Sequence, residues 1–165
     1  MNVRGFSLVE LVVVVAIIAT LLSIATLDFN SWMKKYQTER QTRELYSDIM
    51  QLRLSAIQRK QRCAMFLGPR QYNTRTYATD NEDVLAGGVT VSSKNLNYEI
   101  KNGTGLAAFD ITADHIEFDS RGFATGPMTI VVLPVQYNAG DNCILVSEGR
   151  TNIGRMIDAA TCRAR

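Results

Sequence analysis

The stretch Gly5-Phe6-Ser7-Leu8-Val9-Glu10, followed by an apolar run over residues 11–27, decides how this chain is organised. Residues 6–27 would form a helix about 33 Å long at 1.5 Å per residue, which matches the roughly 30 Å hydrocarbon core of a bilayer. Glu10 stands at the front of this run. An ionised acid costs roughly 2.5–3.5 kcal/mol at a bilayer centre and less near an end, so an acid kept in such a segment indicates a function.

Glu10 needs a cation, and the residues before it suggest which one. Cleavage of the chain after Gly5 would leave a new α-amine on Phe6, at a depth suited to an acid partner. Two simpler interpretations stay open. One is a cleaved secretory signal with Arg4 as its basic start and Ser23-Ile24-Ala25 as its small-residue cleavage site, although Glu10 then lies where a signal core is uncharged. The other is a plain single-span anchor, which explains the length of the run and leaves the acid unexplained.

The N-terminal residues match the processing site of prepilins. They comprise a short polar leader over residues 1–5, then Phe6, then an acid at the fifth position after the cut. On this motif the chain resembles type IV pilins and type II secretion pseudopilins. The resemblance implies that a prepilin peptidase cuts after Gly5 and methylates Phe6, and that Glu10 pairs with the Phe6 amine of a neighbouring subunit in a filament.

The same resemblance implies a location and a set of partners. Lys34 and Lys35 follow the apolar run, so basic residues alone do not orient it. The resemblance instead implies a single-pass protein of the bacterial inner membrane whose C-terminal domain lies in the periplasm, and later a pilus or pseudopilus filament. The implied partners are other major and minor pilins or pseudopilins, the prepilin peptidase and the inner-membrane assembly platform.

One long helix is expected after the leader, because no proline precedes Pro69 and no glycine lies between Gly5 and Gly68. Over residues 28–62 the pattern predicts an amphipathic helix with one buried face. Its apolar residues recur in steps of three and four at Phe29, Trp32, Met33, Tyr36, Leu45, Ile49, Leu52 and Ala56. Its basic residues, interpreted as a solvated face, are Lys34, Lys35, Arg40, Arg43, Arg53, Arg59, Lys60 and Arg62.

After Gly68 the spacing becomes that of strands, and residues 63–165 are predicted to be β-rich. The predicted strands are 89–91, 96–100, 115–118, 128–133 and 143–147. Residues 70–88 are polar and are predicted to be a loop, with one short strand near 76–78. The pattern predicts an α+β fold in which the long N-terminal helix packs against a C-terminal antiparallel sheet.

Two C-terminal segments point to a narrower group within these families. They are Ile116-Glu117-Phe118-Asp119-Ser120-Arg121-Gly122 and Cys143-Ile144-Leu145-Val146-Ser147-Glu148-Gly149-Arg150. In each, a strand runs into a glycine-containing turn beside an arginine, and Arg121 and Arg150 would hold or face these turns. Both segments resemble the C-terminal half of the GspH/FimT group of minor pilins and pseudopilins. The resemblance implies a type IV pilin-like fold and a structural role without enzymatic activity or cofactor.

DNA binding is the alternative function that this part of the chain leaves open. Some FimT-like minor pilins that take up DNA carry a Gly-Arg-x-Arg sequence here. In this chain Gly149-Arg150-Thr151 is followed by Asn152 rather than by arginine, and Arg155 would have to compensate from the next turn. Basic side chains on the C-terminal tail would contact phosphates with salt-sensitive affinity. The residues in question are Arg150, Arg155, Arg163 and Arg165.

The cysteines permit one disulfide and one spare thiol. The chain has three cysteines, Cys63, Cys143 and Cys162. Their number is odd and no two have the spacing of a metal-binding pair, which argues against zinc and redox motifs. If the domain is exported, the natural pair is Cys143 with Cys162, and closing that loop would stabilise the fold by about 3 kcal/mol.

No metal or catalytic site is predicted. His115, the only histidine, has acids around it but no ligand set at defined spacing, so it is interpreted as a strand residue. The acidic residues of 80–83 lack the spacing and the central glycine of a calcium loop. No serine or cysteine lies in a recognisable catalytic set. A formal net charge of +2 says little about partners.

Overall fold

The structure is a computed structural model that describes residues 7–79, 81–103, 105–135, 137 and 140–165, apart from the side chains of residues 24–28. The predicted leader, the cleavage site at Gly5 and Phe6, and the methylated Phe6 lie outside the described residues. The chain divides into two compact units, Met1–Tyr36 and Gln37–Arg165.

A single helix, α1 (Leu8–Arg59), is 52 residues long. It ends three residues earlier than the sequence predicts, because Lys60 adopts a positive φ of 51° and closes it. The Gln61 N–H then donates to the Ala56 carbonyl at 3.2 Å, which is the Schellman arrangement for a helix C-terminus. Within the described part of the chain, no helix has both the length and the apolar content needed to cross a membrane.

The described residues after the helix include two antiparallel sheets. In the first sheet the strand order is β3-β2-β1-β6-β7, and in the second it is β11-β10-β9-β8-β4-β5. The strands are β1 (Cys63–Gly68), β2 (Gln71–Thr76), β3 (Val89–Asn95), β4 (Ile100–Asn102), β5 (Ala107–Ala108), β6 (His115–Phe118), β7 (Ala124–Thr125), β8 (Met128–Val132), β9 (Cys143–Val146), β10 (Thr151–Met156) and β11 (Cys162–Ala164). The predicted α+β fold is confirmed.

The core of the second unit forms where one stripe of α1 meets both sheets. The helical residues recur in steps of three and four, so they share one face, as the amphipathic pattern predicts. The first sheet contributes side chains from β1 and β6, and the second from β8 and β9. The central buried residues are Leu45, Ile49, Leu52, Ala56, Met65, Ile116, Phe118, Ile130 and Ile144.

The loop prediction for residues 70–88 is wrong in its first part, because β2 occupies Gln71–Thr76. This strand pairs along its whole length with β1, so ladder hydrogen bonds offset its polar composition. Tyr72 is its one buried apolar side chain, and its hydroxyl donates a hydrogen bond to Asp48 on α1. Burial, together with the Asp48 carboxylate, raises the pKa of Tyr72, so the phenol stays protonated as the donor.

The predicted strand over residues 96–100 is also wrong, since regular pairing stops at Asn95 and resumes only at Ile100. The intervening backbone bonds elsewhere. The Leu96 N–H donates to the Arg70 carbonyl at 2.8 Å, and the Tyr98 N–H donates to Gln41 Oε1 at 2.8 Å. Gln41 Nε2 returns a hydrogen bond to the Tyr98 carbonyl at 2.8 Å. A side-chain amide of the helix thus replaces a neighbouring strand.

The predicted buried face of the helix does not extend to Phe29, Trp32 and Tyr36, whose side chains are 57%, 59% and 55% exposed. The spacing explains the difference. Tyr36 and Leu45 are nine positions apart, which is about two and a half turns at 3.6 residues per turn, so the aromatic stripe and the core stripe are out of phase.

Arg62 is another exception, because it is buried rather than part of a solvated face. Its guanidinium pairs with Glu117 on β6 at 3.3 Å and lies 4.7 Å above the ring of Tyr77. It also donates to the Glu82 carbonyl. A buried arginine requires such partners, and sequence spacing alone does not identify them.

The core stripe gives a direct test of this packing. We expect Ile49→Ala to lower the free energy of unfolding by about 2–5 kcal/mol, because Ile49 is fully buried between the helix and the sheets. The matched control is Leu54→Ala on the same helix, where the side chain is 53% exposed and the change should stay within about 0.5 kcal/mol. Urea unfolding of the detergent-solubilised chain measures both. Equal effects of the two substitutions would contradict the assignment of the core face.

Candidate assembly segment and basic C-terminal cluster

Glu10 lies in the first turn of α1. The helix begins beside it, where the Leu11 N–H donates to the Ser7 carbonyl at 3.2 Å. The first N–H groups of a helix lack partners within the helix and carry a partial positive charge, which favours an acid at this end. The side chain of Glu10 is exposed, so another molecule can approach its carboxylate.

The helix around Glu10 exposes apolar side chains on every side. In an amphipathic helix they would lie on one stripe, whereas a helix that is apolar all round belongs in a larger apolar environment. An apolar surface this extensive marks an interaction site. The side chains are 46–78% exposed and belong to Leu8, Val9, Leu11, Val12, Val13, Val14, Val15, Ile17, Ile18, Leu21 and Leu22.

The hydroxyl groups of Thr20 and Ser23 have partners within the helix. Thr20 donates to the Ile17 carbonyl at 2.8 Å, and Ser23 donates to the Ala19 carbonyl at 2.9 Å. Both bonds stay inside the helix, which is the usual arrangement for such residues in apolar surroundings. Glu10 is the one ionisable side chain of residues 7–23.

Cys143 and Cys162 are joined by a disulfide, with their Cα atoms 6.2 Å apart. The bond connects β9 to β11 past the intervening strand β10, where Gly154 lies. A Cβ at Gly154 would come within 2.4 Å of the Arg163 carbonyl oxygen and 3.1 Å of the Cys162 Sγ. The sequence analysis did not single out this glycine, whose role emerges only when three strands are placed together.

The spare thiol belongs to Cys63, which is fully buried in β1. Burial raises the pKa of Cys63, so the group stays a neutral thiol.

Three of the four arginines predicted near the C-terminus come together. Strand pairing places Arg155 opposite Arg163. Arg165 follows, and it pairs with Asp141 at 3.5 Å. The three side chains line an open cavity of about 440 Å³, which Glu39 and Asp141 also line.

Asp141 also binds the helix in this region, since Arg43 reaches the same carboxylate oxygen at 3.1 Å. Its side chain is only 9% exposed, whereas the side chains of Arg43 and Arg165 are 60% and 76% exposed, so water screens the arginine side of both pairs. The sequence predicts Arg43 on a solvated face. Its guanidinium also contacts Asp141, so it lies beside the arginines of the C-terminal cluster.

Arg150 lies apart from the cluster, in the turn between β9 and β10. There the Ser147 N–H donates to the Arg150 carbonyl at 2.7 Å. A side chain from the helix also supports this turn, because Arg53 donates to the Gly149 carbonyl at 3.2 Å.

The other predicted turn is held by Arg121 as expected. Its side chain pairs with Asp119 at 2.9 Å. Desolvation favours a higher pKa for Asp119, but the N–H of Phe123 and the side chain and N–H of Arg121 outweigh it and lower that pKa. Gly122 has a positive φ of 84°, which allows the chain to turn here.

His115 is a residue of strand β6, as predicted. Its Nδ1 lies 2.8 Å from the Ala113 carbonyl, and its ring stacks on Phe66 with centroids 5.2 Å apart. Glu82, in the acidic loop, accepts hydrogen bonds from the N–H groups of Ala78 and Thr79. Among the residues that the structure describes, no three acidic, histidine or cysteine side chains are grouped to hold a metal.

Comparison with known proteins gives one match to the N-terminal sequence and two matches to the fold. The family model for the prokaryotic N-terminal methylation motif matches residues 1–26. The structure is similar to a crystal structure of the type IV minor pilin FimU of Pseudomonas aeruginosa, with a TM-score of 0.53 and 9% identity over 80% of this chain and 96% of that chain. A second crystal form of FimU gives a TM-score of 0.50 and 10% identity over 75% of this chain and 95% of that chain. No curated protein matches the sequence.

These findings confirm the resemblance to type IV pilins at the level of motif and fold. The narrower assignment to the GspH/FimT group stays a prediction.

The disulfide yields a prediction for the second unit. We expect reduction of the Cys143–Cys162 bond to lower the free energy of unfolding by about 3 kcal/mol, because the bond closes a loop with a sequence separation of 19. Urea unfolding with and without reductant measures the change. The double variant Cys143→Ser, Cys162→Ser should have the same free energy of unfolding as the reduced protein, and reductant should not change it. An unfolding midpoint that reductant leaves unchanged in the unsubstituted protein would contradict the expectation.

Proposed function

We propose that this protein is a minor pilin or pseudopilin, a structural subunit that enters a type IV pilus or a type II secretion pseudopilus through its N-terminal helix. The observation that carries the proposal is Glu10, an exposed acid at the start of a helix whose apolar side chains are exposed all round. The methylation motif over the same residues supports it. FimU, with which this chain shares a fold, is a type IV minor pilin.

The proposed route begins in the inner membrane. The precursor inserts residues 6–27 with its C-terminal domain on the periplasmic side, and the prepilin peptidase removes residues 1–5 and methylates Phe6. The assembly platform then moves the subunit from lipid into the filament. The backbone groups within α1 bond to one another, so this segment can move between apolar surroundings without exposing polar backbone.

Within the filament the N-terminal helices pack against one another. Apolar packing alone does not fix how far one helix slides along the next, because aliphatic side chains repeat along this segment. A single charge pair does fix it. Glu10 of one subunit and the Phe6 amine of its neighbour meet in one register only, and any other register leaves two charges unpaired in apolar surroundings.

We expect Glu10→Ala to reduce incorporation into filaments at least about tenfold while membrane insertion stays intact. Removing one partner of a buried ion pair costs roughly 3–5 kcal/mol, and the Phe6 amine of the neighbour would be left without its acid. The matched control is Thr20→Ala, because the Thr20 hydroxyl bonds within its own helix. Shearing of filaments followed by immunoblotting measures incorporation.

Mass spectrometry of the membrane-bound variants separates processing from assembly. Both variants should begin at a methylated Phe6, so that any loss of incorporation arises after cleavage. Normal incorporation of Glu10→Ala would remove the register argument. A mature protein that begins at Met1, or after Ala25, would refute the proposed processing.

Binding of duplex DNA is the second candidate function, and the arginine cluster favours it. Arg155, Arg163 and Arg165 line one open cavity on the β10–β11 edge, so their guanidinium groups can reach neighbouring phosphates. Asp141 reduces the positive charge that this surface offers to phosphates, because its carboxylate already pairs with Arg165.

For this second function we expect the double variant Arg155→Ala, Arg163→Ala to weaken DNA binding. The slope of log affinity against log salt concentration should become shallower by about 0.9 for each phosphate that the variant no longer neutralises. Arg150→Ala is the matched control, because Arg150 lies in a separate turn. Fluorescence anisotropy with a labelled duplex at several salt concentrations measures both quantities. The absence of salt-sensitive binding by the unsubstituted protein would eliminate this function.

A further inference from the structure

We propose that Phe29, Trp32 and Tyr36 form an interfacial band that binds the headgroup region of a phospholipid bilayer and holds the subunit at a fixed depth before assembly. The inference rests on the proposed function, since it requires the N-terminal helix to reside in a membrane. It adds a second lipid-binding feature beside the apolar run and assigns a role to residues that the core does not use.

The three rings are arranged as one surface. They follow one another in steps of three and four, which places them on one face of α1. The centroids of Phe29 and Trp32 are 6.3 Å apart, and those of Trp32 and Tyr36 are 6.0 Å apart with the rings stacked at 16°. More than half of each side chain remains exposed, so the surface is available to another molecule.

The position of the band along the helix fits the boundary of a bilayer. With residue 27 at the edge of the hydrocarbon core, the rise of 1.5 Å per residue places Phe29, Trp32 and Tyr36 about 3, 8 and 14 Å beyond it. The headgroup layer is roughly 5–8 Å thick on each side, so Phe29 lies inside it, Trp32 lies at its outer limit, and the backbone of Tyr36 lies about 6 Å beyond it. Side chains of a helix tilt toward its N-terminus, so the Tyr36 ring leans back toward this layer.

The chemistry of the rings follows the same order. Phe29, which has no polar atom, is deepest, Trp32 with its indole N–H comes next, and the Tyr36 hydroxyl is nearest to water. Tryptophan and tyrosine are enriched at membrane interfaces for this reason, since one end of each ring is apolar and the other accepts hydration. Lys34 and Lys35 lie between Trp32 and Tyr36 in the sequence and add positive charge to this stretch.

The band also sets the depth of Glu10. About 33 Å of helix separates Trp32 from Glu10, slightly more than the roughly 30 Å thickness of the hydrocarbon core. With residue 27 at one edge of the core, Trp32 lies about 8 Å outside that edge and Glu10 about 4 Å inside the opposite one, where an acid costs less than at the centre.

Trp32 is the single tryptophan of the chain, so its fluorescence reports on the band alone. The experiment reconstitutes the full-length processed protein in vesicles of phosphatidylethanolamine and phosphatidylglycerol that contain lipids brominated at different depths. We expect emission shifted to the blue of aqueous tryptophan, and several-fold stronger quenching by bromines near the headgroup than by bromines near the bilayer centre. Emission at the aqueous position with full quenching by iodide would overturn the proposal, as would strongest quenching by the deepest bromines.

Two variants test the band as a unit. Phe29→Ser together with Tyr36→Ser should shift the emission of Trp32 to the red and increase its quenching by iodide. Leu54→Ser, at another exposed apolar position of the same helix, should change neither. If the double variant also changes neither, the band is not a unit and the proposal fails.

A measurement on assembled filaments separates the band from the proposed function. Interfacial emission in vesicles by a protein that never enters filaments would support the band and refute the filament role. Normal incorporation into filaments by a protein whose Trp32 is aqueous in vesicles, and shifts to the blue only in the filament, would refute the band, because the occupant of this face would then be a neighbouring subunit.

Discussion

The rest of the structure depends on a helix that continues from Leu8 to Arg59 without a residue that could interrupt its hydrogen bonds. This one element meets two different environments. In its first part the side chains are apolar around the whole circumference, and in its second part a single stripe is buried against two sheets. Both arrangements are possible because the backbone bonds within the helix, so the side chains alone decide what surrounds each part. A proline or glycine in the middle would weaken the connection between them.

The sequence predicted the features that depend on local spacing. The helix, the apolar run with its single acid, and the strands predicted at 115–118 and 143–147 all follow from patterns that a short stretch carries by itself. The features that it missed depend on partners distant in the chain. Strand β2 is polar and is stabilised by pairing with β1, and residues 96–99 bond to Gln41 instead of a strand. The helical periodicity also led to the wrong prediction that Phe29, Trp32 and Tyr36 are buried. Steps of three and four show that residues share a face of the helix, but they do not show whether that face is buried.

The contacts of charged side chains also could not be predicted from the sequence, because their partners are distant in the chain. A row of arginines along a predicted helix predicts a solvated face, yet Arg62 lies past the end of the helix and is buried against Glu117. Arg43 is 60% exposed as predicted, and it also pairs with Asp141. Which arginine finds an acid is decided by residues that lie far away in the sequence. The C-terminal cluster is similar, since pairing of β10 with β11 unites Arg155 and Arg163 and leaves Arg150 in another turn. The residues of the candidate basic site could be named from the sequence, but their grouping could not.

The state of the three cysteines has a practical consequence for work on assembly. Two are joined to each other and the third is buried with a raised pKa, so none presents a reactive thiolate to the solvent. A cysteine introduced at an exposed position is therefore the one group that a maleimide reagent modifies under non-reducing conditions. Fluorophores or crosslinkers can be attached at chosen positions of the otherwise native chain, and the insertion of single subunits can be followed without removing any natural cysteine.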